Sequence, residues 1–306
     1  MTPLVYAVVL NWNGLDDTLA CLGSLAVLNY GRLRVLVVDN GSLVSVRETI
    51  ERAHPWVEVI ENPDNLGYSG GNNVGIRHGL EGGADFVWIL NNDTYVEPDS
   101  LAELVACAQR HPRAAAVGSK VLLAQRSGVL WMTWGRVTWR QSLISLEGQG
   151  RRDHRRYGRE RQVEWVPGCS ILMRRTALED LGGFAEEFFA YHEDVDWAAR
   201  ARSRGWEMWY AGLSRIHHGV HGSSGGEASY TGFRKYLSAR NSVLYARRHG
   251  RPRQIALMVA CIAATLPFQY LRRRLRGEQE GIRLKLRGWW DGWRRRPVPF
   301  EELGLR

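Results

Sequence analysis

Cysteine is scarce in this chain. Cys21, Cys107, Cys169 and Cys261 are widely spaced and form no Cys-x-x-Cys pair, so neither a zinc cluster nor a disulfide framework can be read from them, and isolated buried thiols are expected. No internal period of the solenoid or propeller kind is present. The N-terminus enters an apolar strand pattern at once, without a basic leader or cleavage site, and is not expected to be a secretory signal. The apolar stretch 255–268 contains Pro267 and falls below the roughly 18–20 residues needed to cross a bilayer. No Gly-Lys-Ser/Thr follows a glycine-rich loop, and no Gly-x-Gly-x-x-Gly follows the first strand. These absences argue against a Walker-type NTPase and a nicotinamide enzyme.

Acidic residues are deficient in one place only. Residues 1–226 hold 23 Lys+Arg against 26 Asp+Glu, whereas residues 227–306 hold 18 against 6, so the net charge of +9 comes from the C-terminal quarter. Such a tail suits phosphates or an anionic membrane face; a solvated basic helix is the plainer reading. Residues 255–268 are followed by Arg272, Arg273 and Arg274, and Trp289, Trp290 and Trp293 lie further on beside Arg294–Arg296. An apolar face flanked by arginines and tryptophans predicts an interfacial, monotopic element. A helix packed on the rest of the protein is the alternative. Nucleic acid is an unsuitable partner, because the tail lacks regularly interleaved aromatics and residues 1–226 are slightly acidic.

What is abundant is alternation. Short apolar runs at 4–10, 33–38, 57–60 and 86–90 read as buried strands, with helical spacing over 16–27, 44–53, 69–80 and 98–109 between and after them. Repeated β-α-β units predict an α/β fold with a mostly parallel sheet flanked by helices, whose ligands bind beyond the carboxyl ends of the strands. Polar clusters stand at those ends: Asn11-Trp12-Asn13-Gly14, Asp39-Asn40-Gly41-Ser42 and Asn91-Asn92-Asp93. Residues 129–166 read as short strands broken by a basic loop at 151–156. Helices are expected at 175–181, 195–204 and 230–248. This pattern predicts a catalytic domain over 1–226 and a basic helical region over 227–306.

Each cluster has a chemical and a plain reading. Asp93 can hold Mg²⁺ or Mn²⁺, hard cations that bridge diphosphate oxygens, or it is a turn aspartate. Asp39 can accept a pyrimidine N–H, or make an Asx turn. The Gly/Asn-rich segment 65–75 allows close backbone approach and offers a helix N-terminus to an anion, or is a connector. Glu193, Asp194 and Asp196 follow an aromatic run that would desolvate a general base, or they complement a helix dipole. His217, His218 and His221 follow a strand expected at 208–211 and are candidate metal ligands.

Taken in order, these segments resemble glycosyltransferase family 2, with its GT-A fold, and within it the bacterial rhamnosyltransferase-like enzymes of polysaccharide assembly. The matching stretches include Asn11 to Gly14, Asp39 to Ser42, residues 65–75, Asn91 to Thr94, Pro167-Gly168-Cys169, Glu193-Asp194-Val195-Asp196-Trp197 and Ile216-His217, with Tyr236 and Arg240-Asn241 beyond them. The resemblance implies that Asp39 contacts a pyrimidine base with Asn11 near it. It implies that Asn65, Gly70, Asn72 and Asn92 line the nucleotide and donor sugar. Asp93 matches the last position of a DxD metal motif whose first position is Asn91 here. His217 falls where some members place a second ligand. Asp194 matches the catalytic base, with Glu193 beside it. The implied function is an inverting, metal-dependent transfer from a nucleotide-diphosphate sugar, L-rhamnose from dTDP-rhamnose first, or N-acetylglucosamine, galactose or galactofuranose from UDP. The implied acceptor is a glycan or lipid-linked saccharide, and the implied location the cytoplasmic side of a membrane, peripherally bound. An inactive nucleotide-sugar-binding protein is the rival from another class.

Overall fold

The computed structural model describes residues 2–140, 142–219, 232–275 and 280–305. His221 lies outside them. The chain begins with β1 (Val5–Asn11), α1 (Leu15–Leu25), β2 (Leu33–Asn40), α2 (Arg47–Ala53), β3 (Val57–Asn62), α3 (Gly67–Glu81), β4 (Phe86–Asn91), β5 (Thr94–Val96) and α4 (Ser100–Arg110). There follow β6 (Ala114–Leu123), β7 (Leu130–Met132), β8 (Gly135–Val137), β9 (Ile144–Leu146), β10 (Arg161–Val163) and β11 (Ser170–Arg174). Then come α5 (Arg175–Leu181), α6 (Glu193–Ser203), β12 (Glu207–His218), α7 (Phe233–His249), α8 (Pro252–Arg274) and α9 (Glu280–Arg294).

The main sheet has the order β10-β12-β6-β11-β4-β1-β2-β3, with β5 on β12 and β7 on β6. β1, β2, β3 and β4 are parallel, whereas β11 runs antiparallel to both β4 and β6. The sheet is therefore mixed. The first strands read as continuous apolar runs because both faces are covered. Val5, Ala7 and Val9 enter one core with Cys21, Leu22, Ile50 and Leu104 from α1, α2 and α4. Tyr6 and Val8 enter the other with Ile76, Leu178, Trp197 and Leu244 from α3, α5, α6 and α7.

From β1 the chain steps outward through β2 to β3, then returns to place β4 on the other side of β1. A reversal of strand order of this kind opens a crevice at the carboxyl ends of the strands. Asn11, Asp39 and the turn after Asn91 stand on that crevice.

The helix expected at 69–80 spans Gly67–Glu81, so most of the glycine-rich segment is helical. Gly71 and Gly75 pack it on the sheet: an added Cβ would lie 2.5 Å from Leu10 Cδ1 and 2.3 Å from Val8 Cγ1 respectively. The apolar stretch 255–268 is part of a 23-residue helix that continues through Pro267. Over Pro252–Arg272 it is long and apolar enough, by length and composition, to cross a membrane, and Met258 is its one fully buried residue, with others half-buried. The helix α9 packs along α7, where Gly288 and Gly292 face the backbone of Tyr236 and Arg240 too closely for any side chain.

Candidate active site

At the end of β1, Asn11 Nδ2 donates to Asp39 Oδ1 at 2.8 Å, and Ser42 Oγ donates to the same oxygen at 2.5 Å. Parallel pairing sets Asn11 opposite Asp39 in register, which is why two residues 28 apart in sequence meet. Both are buried. Asn40, next along β2, faces the start of α3: its Nδ2 donates to Asn65 Oδ1 at 2.9 Å and to the Gly67 carbonyl at 3.1 Å. Asn65 Nδ2 in turn donates to the Leu305 carbonyl at 3.0 Å, which brings the C-terminal segment to this rim. Asn72 Nδ2 donates to the Tyr68 carbonyl, and its Oδ1 is buried without a hydrogen-bond partner among the described residues. Gly70 lies inside α3, where an added Cβ would come 2.8 Å from Leu66 Cβ. Asn92 is spent on structure, tying the β4 turn to Gly14 and Thr18 of α1 at 3.1 Å each.

The turn after β4 carries Asp93. β5 pairs antiparallel with the end of β12, and this register sets His218 opposite Thr94. His218 Nε2 consequently lies 3.4 Å from Asp93 Oδ1 and 3.2 Å from Asn91 Nδ2. Its ring stacks on Trp131, with centroids 4.8 Å apart and planes 8° apart. Burial holds the His218 imidazole below its ordinary pKa against the pull of Asp93, leaving a neutral ring suited to metal ligation. His217 points elsewhere: its Nε2 meets Glu97 Oε1 at 3.0 Å. His218 and not His217 therefore faces Asp93, because side chains alternate along a strand and the inward series here is Ser214, Ile216, His218. The strand expected to end at 211 runs on to His218 itself.

The Asp93 carboxylate, the His218 imidazole and the Oδ1 of Asn91, which is buried and has no hydrogen-bond partner among the described residues, are ligand types that suit a Mn²⁺- or Mg²⁺-type cation. Cys107, His111 and Glu160 also lie with ligand atoms within 4.8 Å of one another. That group sits where β6 and β12 begin, at the opposite end of the strands from Asp93, and Glu160 is paired to Arg110.

The carboxylates at the start of α6 have separate environments. Asp194 Oδ2 accepts the Gly168 N–H at 3.0 Å, and Oδ1 accepts the Val195 N–H at 2.8 Å. Burial pushes its carboxyl up to about 6, against the pull of those N–H groups. Glu193 is pushed well up by burial and by Asp194 beside it, and its Oε2 has no hydrogen-bond partner among the described residues. For Asp196 burial acts upward too, but His249 and Arg248 outweigh it and hold the carboxyl below its usual range. Asp196 also pairs with Arg200. It is a structural anchor, not a base.

Gly168–Cys169 joins the two halves of the site. The Cys169 carbonyl accepts the Asn91 N–H at 3.1 Å, and its thiol is pushed far up by burial and then by Asp93 and Asp194 on either side. The Tyr68 hydroxyl, donating to the Gly168 carbonyl at 2.8 Å, feels Glu193, Asp194 and Asp93 together. The carboxylates of both sides thus act together on Cys169 and Tyr68 between them.

The comparisons with known proteins follow this geometry. Residues 3–276 match a family model described as glycosyltransferase-like family 2. The chain belongs to glycosyltransferase family 2. This glycosyltransferase is 29% identical over 235 residues to N-acetylglucosaminyl-diphospho-decaprenol L-rhamnosyltransferase of Mycobacterium tuberculosis, covering 68% of this chain and 74% of that one. It is 25% identical over 216 residues to the low-salt glycan biosynthesis hexosyltransferase Agl10 of Haloferax volcanii, covering 70% and 67%. Its fold is that of mannosyltransferase PcManGT from Pyrobaculum calidifontis (TM-score 0.60, 17% identity, covering 96% and 88%). It is also that of GalNAc-T7, of whose chain it covers about half (TM-score 0.62, 13% identity, covering 80% and 48%). The transferase uses a nucleotide-sugar donor on a GT-A fold.

Sequence reasoning missed the strained backbone of the loop before the carboxylates of α6. Phe189, Tyr191 and His192 all have positive φ, at 61°, 70° and 72°, a conformation costing on the order of 1–3 kcal/mol each outside glycine. Asn241 of α7 compensates: its Nδ2 lies 2.7, 2.7 and 2.8 Å from the carbonyls of Phe188, Ala190 and Tyr191. Arg240 adds a bond to the Glu187 carbonyl at 2.9 Å. The adjacent polar pair in the middle of a helix was the available signal, but the loop it holds lies some fifty residues earlier.

Proposed function

We propose that the chain is an inverting, metal-dependent transferase that moves L-rhamnose from dTDP-rhamnose to a lipid-linked saccharide. The observation that supports the reaction class is the Gly168–Cys169 step, which bonds Asp194 on one side and the Asn91 turn, with Asp93 and His218, on the other. In this reading Asp39 accepts the N3–H of the pyrimidine, and Asn11 and Ser42 hold that carboxylate in place. Asn65 and Asn72 line the nucleotide and sugar. Asp93 and His218, with Asn91 beside them, would hold Mn²⁺ or Mg²⁺, which would supply positive charge for the leaving diphosphate. Asp194, oriented by the Gly168 N–H and raised by burial, takes the proton of the acceptor hydroxyl as that oxygen attacks the anomeric carbon from the face opposite the diphosphate. Glu193 stays protonated beside it and keeps a second negative charge out of the pocket.

The sugar and acceptor are supported by the name of the mycobacterial relative, at 29% identity. Residues 227–306 act as a basic arm that binds the cytoplasmic face of a membrane peripherally. That assignment is supported by the exposed apolar surface of α8, with Leu257, Val259 and Leu271 outward, and by the arginines at its ends. A thermal-shift panel of dTDP- and UDP-sugars with Mn²⁺ tests the donor, since the bound donor raises the melting point by mass action. dTDP-rhamnose is expected to give the largest rise; a larger rise with a UDP-sugar would reassign the donor.

A further inference from the structure

At the end of the strands opposite Asp93, three side chains of metal-ligating type converge. Cys107 lies in the last turn of α4 and His111 caps that helix four residues on, so one helical turn sets both on one face. Glu160 arrives from elsewhere in the chain, immediately before the edge strand β10. The Cys107 Sγ, an imidazole nitrogen and a carboxylate oxygen lie within 4.8 Å of one another. His111 Nε2 is 3.2 Å from Glu160 Oε2, and two nitrogen or oxygen ligands at a tetrahedral angle on Zn²⁺ stand roughly 3.4 Å apart. Both groups are fixed from outside the cluster. The His111 ring stacks on Trp209 of β12, with centroids 3.3 Å apart and planes 10° apart. Arg110 grips Glu160 at Oε1, with its Nε 3.4 Å from Oε2. Cys107 is fully buried, whereas the His111 and Glu160 side chains are 25% and 28% exposed, so the cluster is open to solvent on one side.

We propose that Cys107, His111 and Glu160 bind Zn²⁺, with water in the fourth position. A thiolate, an imidazole and a carboxylate form a mixed sulfur, nitrogen and oxygen set. Such a set suits Zn²⁺ and is ill-matched to Mg²⁺ or Mn²⁺, whose sites are rich in oxygen. The site thus differs in kind from the Asp93 turn, and it stands independently of the transferase reading. In the metal-free chain burial, and then Glu160, push the Cys107 thiol up to about 12. Binding therefore passes the thiol proton to solvent, and the sulfur donates the electron pair it keeps to the ion. Arg110 and Trp209 act as outer partners that orient the carboxylate and the imidazole. The gain falls on β10, a three-residue edge strand that pairs, among the described residues, only with β12. The ion ties the entry of that strand to α4.

The test strips the full chain of metal with EDTA and titrates it with Co²⁺, which takes the ligands of Zn²⁺ and reports sulfur among them. A thiolate-to-cobalt charge-transfer band is expected in the near ultraviolet, and added Zn²⁺ should abolish it by displacement. C107S should lose the band, whereas C169S, altered beside the Asp93 turn, should keep it. H111A and E160Q should each weaken Zn²⁺ binding at least ~10-fold in competition with a chromophoric chelator. Zn²⁺ should also raise the melting temperature of the unmodified chain and leave that of C107S unchanged. The measurements on the unmodified chain decide even where a variant fails to fold. No thiolate band in that chain, or a band that persists in C107S, would overturn the proposal. Loss of the band in C169S alone would place the sulfur ligand beside Asp93 and overturn it likewise.

Discussion

Gly168 and Asp194, 26 residues apart, are joined by a hydrogen bond of 3.0 Å from the glycine N–H to the carboxylate. The adjacent Cys169 carbonyl is bonded to the Asn91 N–H at the metal-type turn. A single backbone step therefore spaces Asp194, the proposed base, from the turn of the proposed cation site. A Cβ at Gly168 would meet the Tyr68 hydroxyl at 3.1 Å and Asp194 Oδ2 at 3.6 Å, so the step has little room for a side chain.

Asp194→Asn is expected to lower transfer by about 10²–10⁴-fold while leaving donor affinity intact. The same carboxyl sets the pH profile. It must be ionised to accept a proton, so kcat/KM should fall as pH drops through about 6 and level off above it. A profile with no acid limb in that region, or an Asp194→Asn enzyme that still turns over, would move the base to Glu193.

The base also burdens the fold. Its folded pKa lies above the ordinary carboxylate value of 3.8, so the stability it contributes is complete below that value and is lost as pH rises through about 6. Asp194→Asn should therefore raise stability at pH 8, by on the order of 1–2 kcal/mol, with the gain vanishing toward pH 4. Urea denaturation at the two pH values measures the difference; a destabilised variant at pH 8 would contradict the argument.

His218→Ala and Asp93→Ala should each abolish the increment that Mn²⁺ adds to nucleotide affinity, whereas His217→Ala should keep it, because His217 faces Glu97. Calorimetry with and without Mn²⁺ separates them. Loss of the increment in His217→Ala with retention in His218→Ala would restore the assignment made from sequence.

Asn241→Ala removes the donor to three carbonyls of a strained loop. We expect a fall in kcat of about 10-fold or more, with donor affinity changed little, since a misplaced base costs rate before binding. Asn241→Asp cannot donate and should be at least as impaired. Unchanged kcat in both would show that the loop holds its own shape.

Replacing Leu257, Val259 and Leu271 on α8 by aspartate should release the chain from vesicles containing anionic lipid, measured by co-sedimentation. Each buried apolar side chain contributes roughly 1.5–3 kcal/mol, so the triple change should be decisive. An unmodified chain that stays in the supernatant would end the membrane reading.

Much was legible without coordinates. Each early strand was a continuous apolar run because both faces of the sheet are covered, and the polar residues ending those runs marked the rim. Asn11, Asp39, Asp93 and Asp194 were readable because each sits at the end or start of a regular element. The strands β6 and β11 were not assigned, although β6 is apolar throughout its first half, because short runs of alanine and glycine are ambiguous in period. The length of α8 was obscured by Pro267, which the helix accommodates.

What only the tertiary structure decided was pairing. Local pattern says that a histidine ends a strand, but which of two neighbouring histidines faces Asp93 depends on the phase of β12 after its irregular stretch between Ala211 and Arg215. The same limit hid Asn241, whose partners lie some fifty residues away, and the charge state of Asp194 against Asp196. Those two carboxylates are two residues apart in one acidic turn. One is buried against backbone N–H groups with its pKa raised, and the other is clasped by Arg200, Arg248 and His249. Sequence determines which residues stand at the rim, since that follows from local hydrophobic period; burial and ion pairing come from distant segments, and they determine which of those residues can do chemistry.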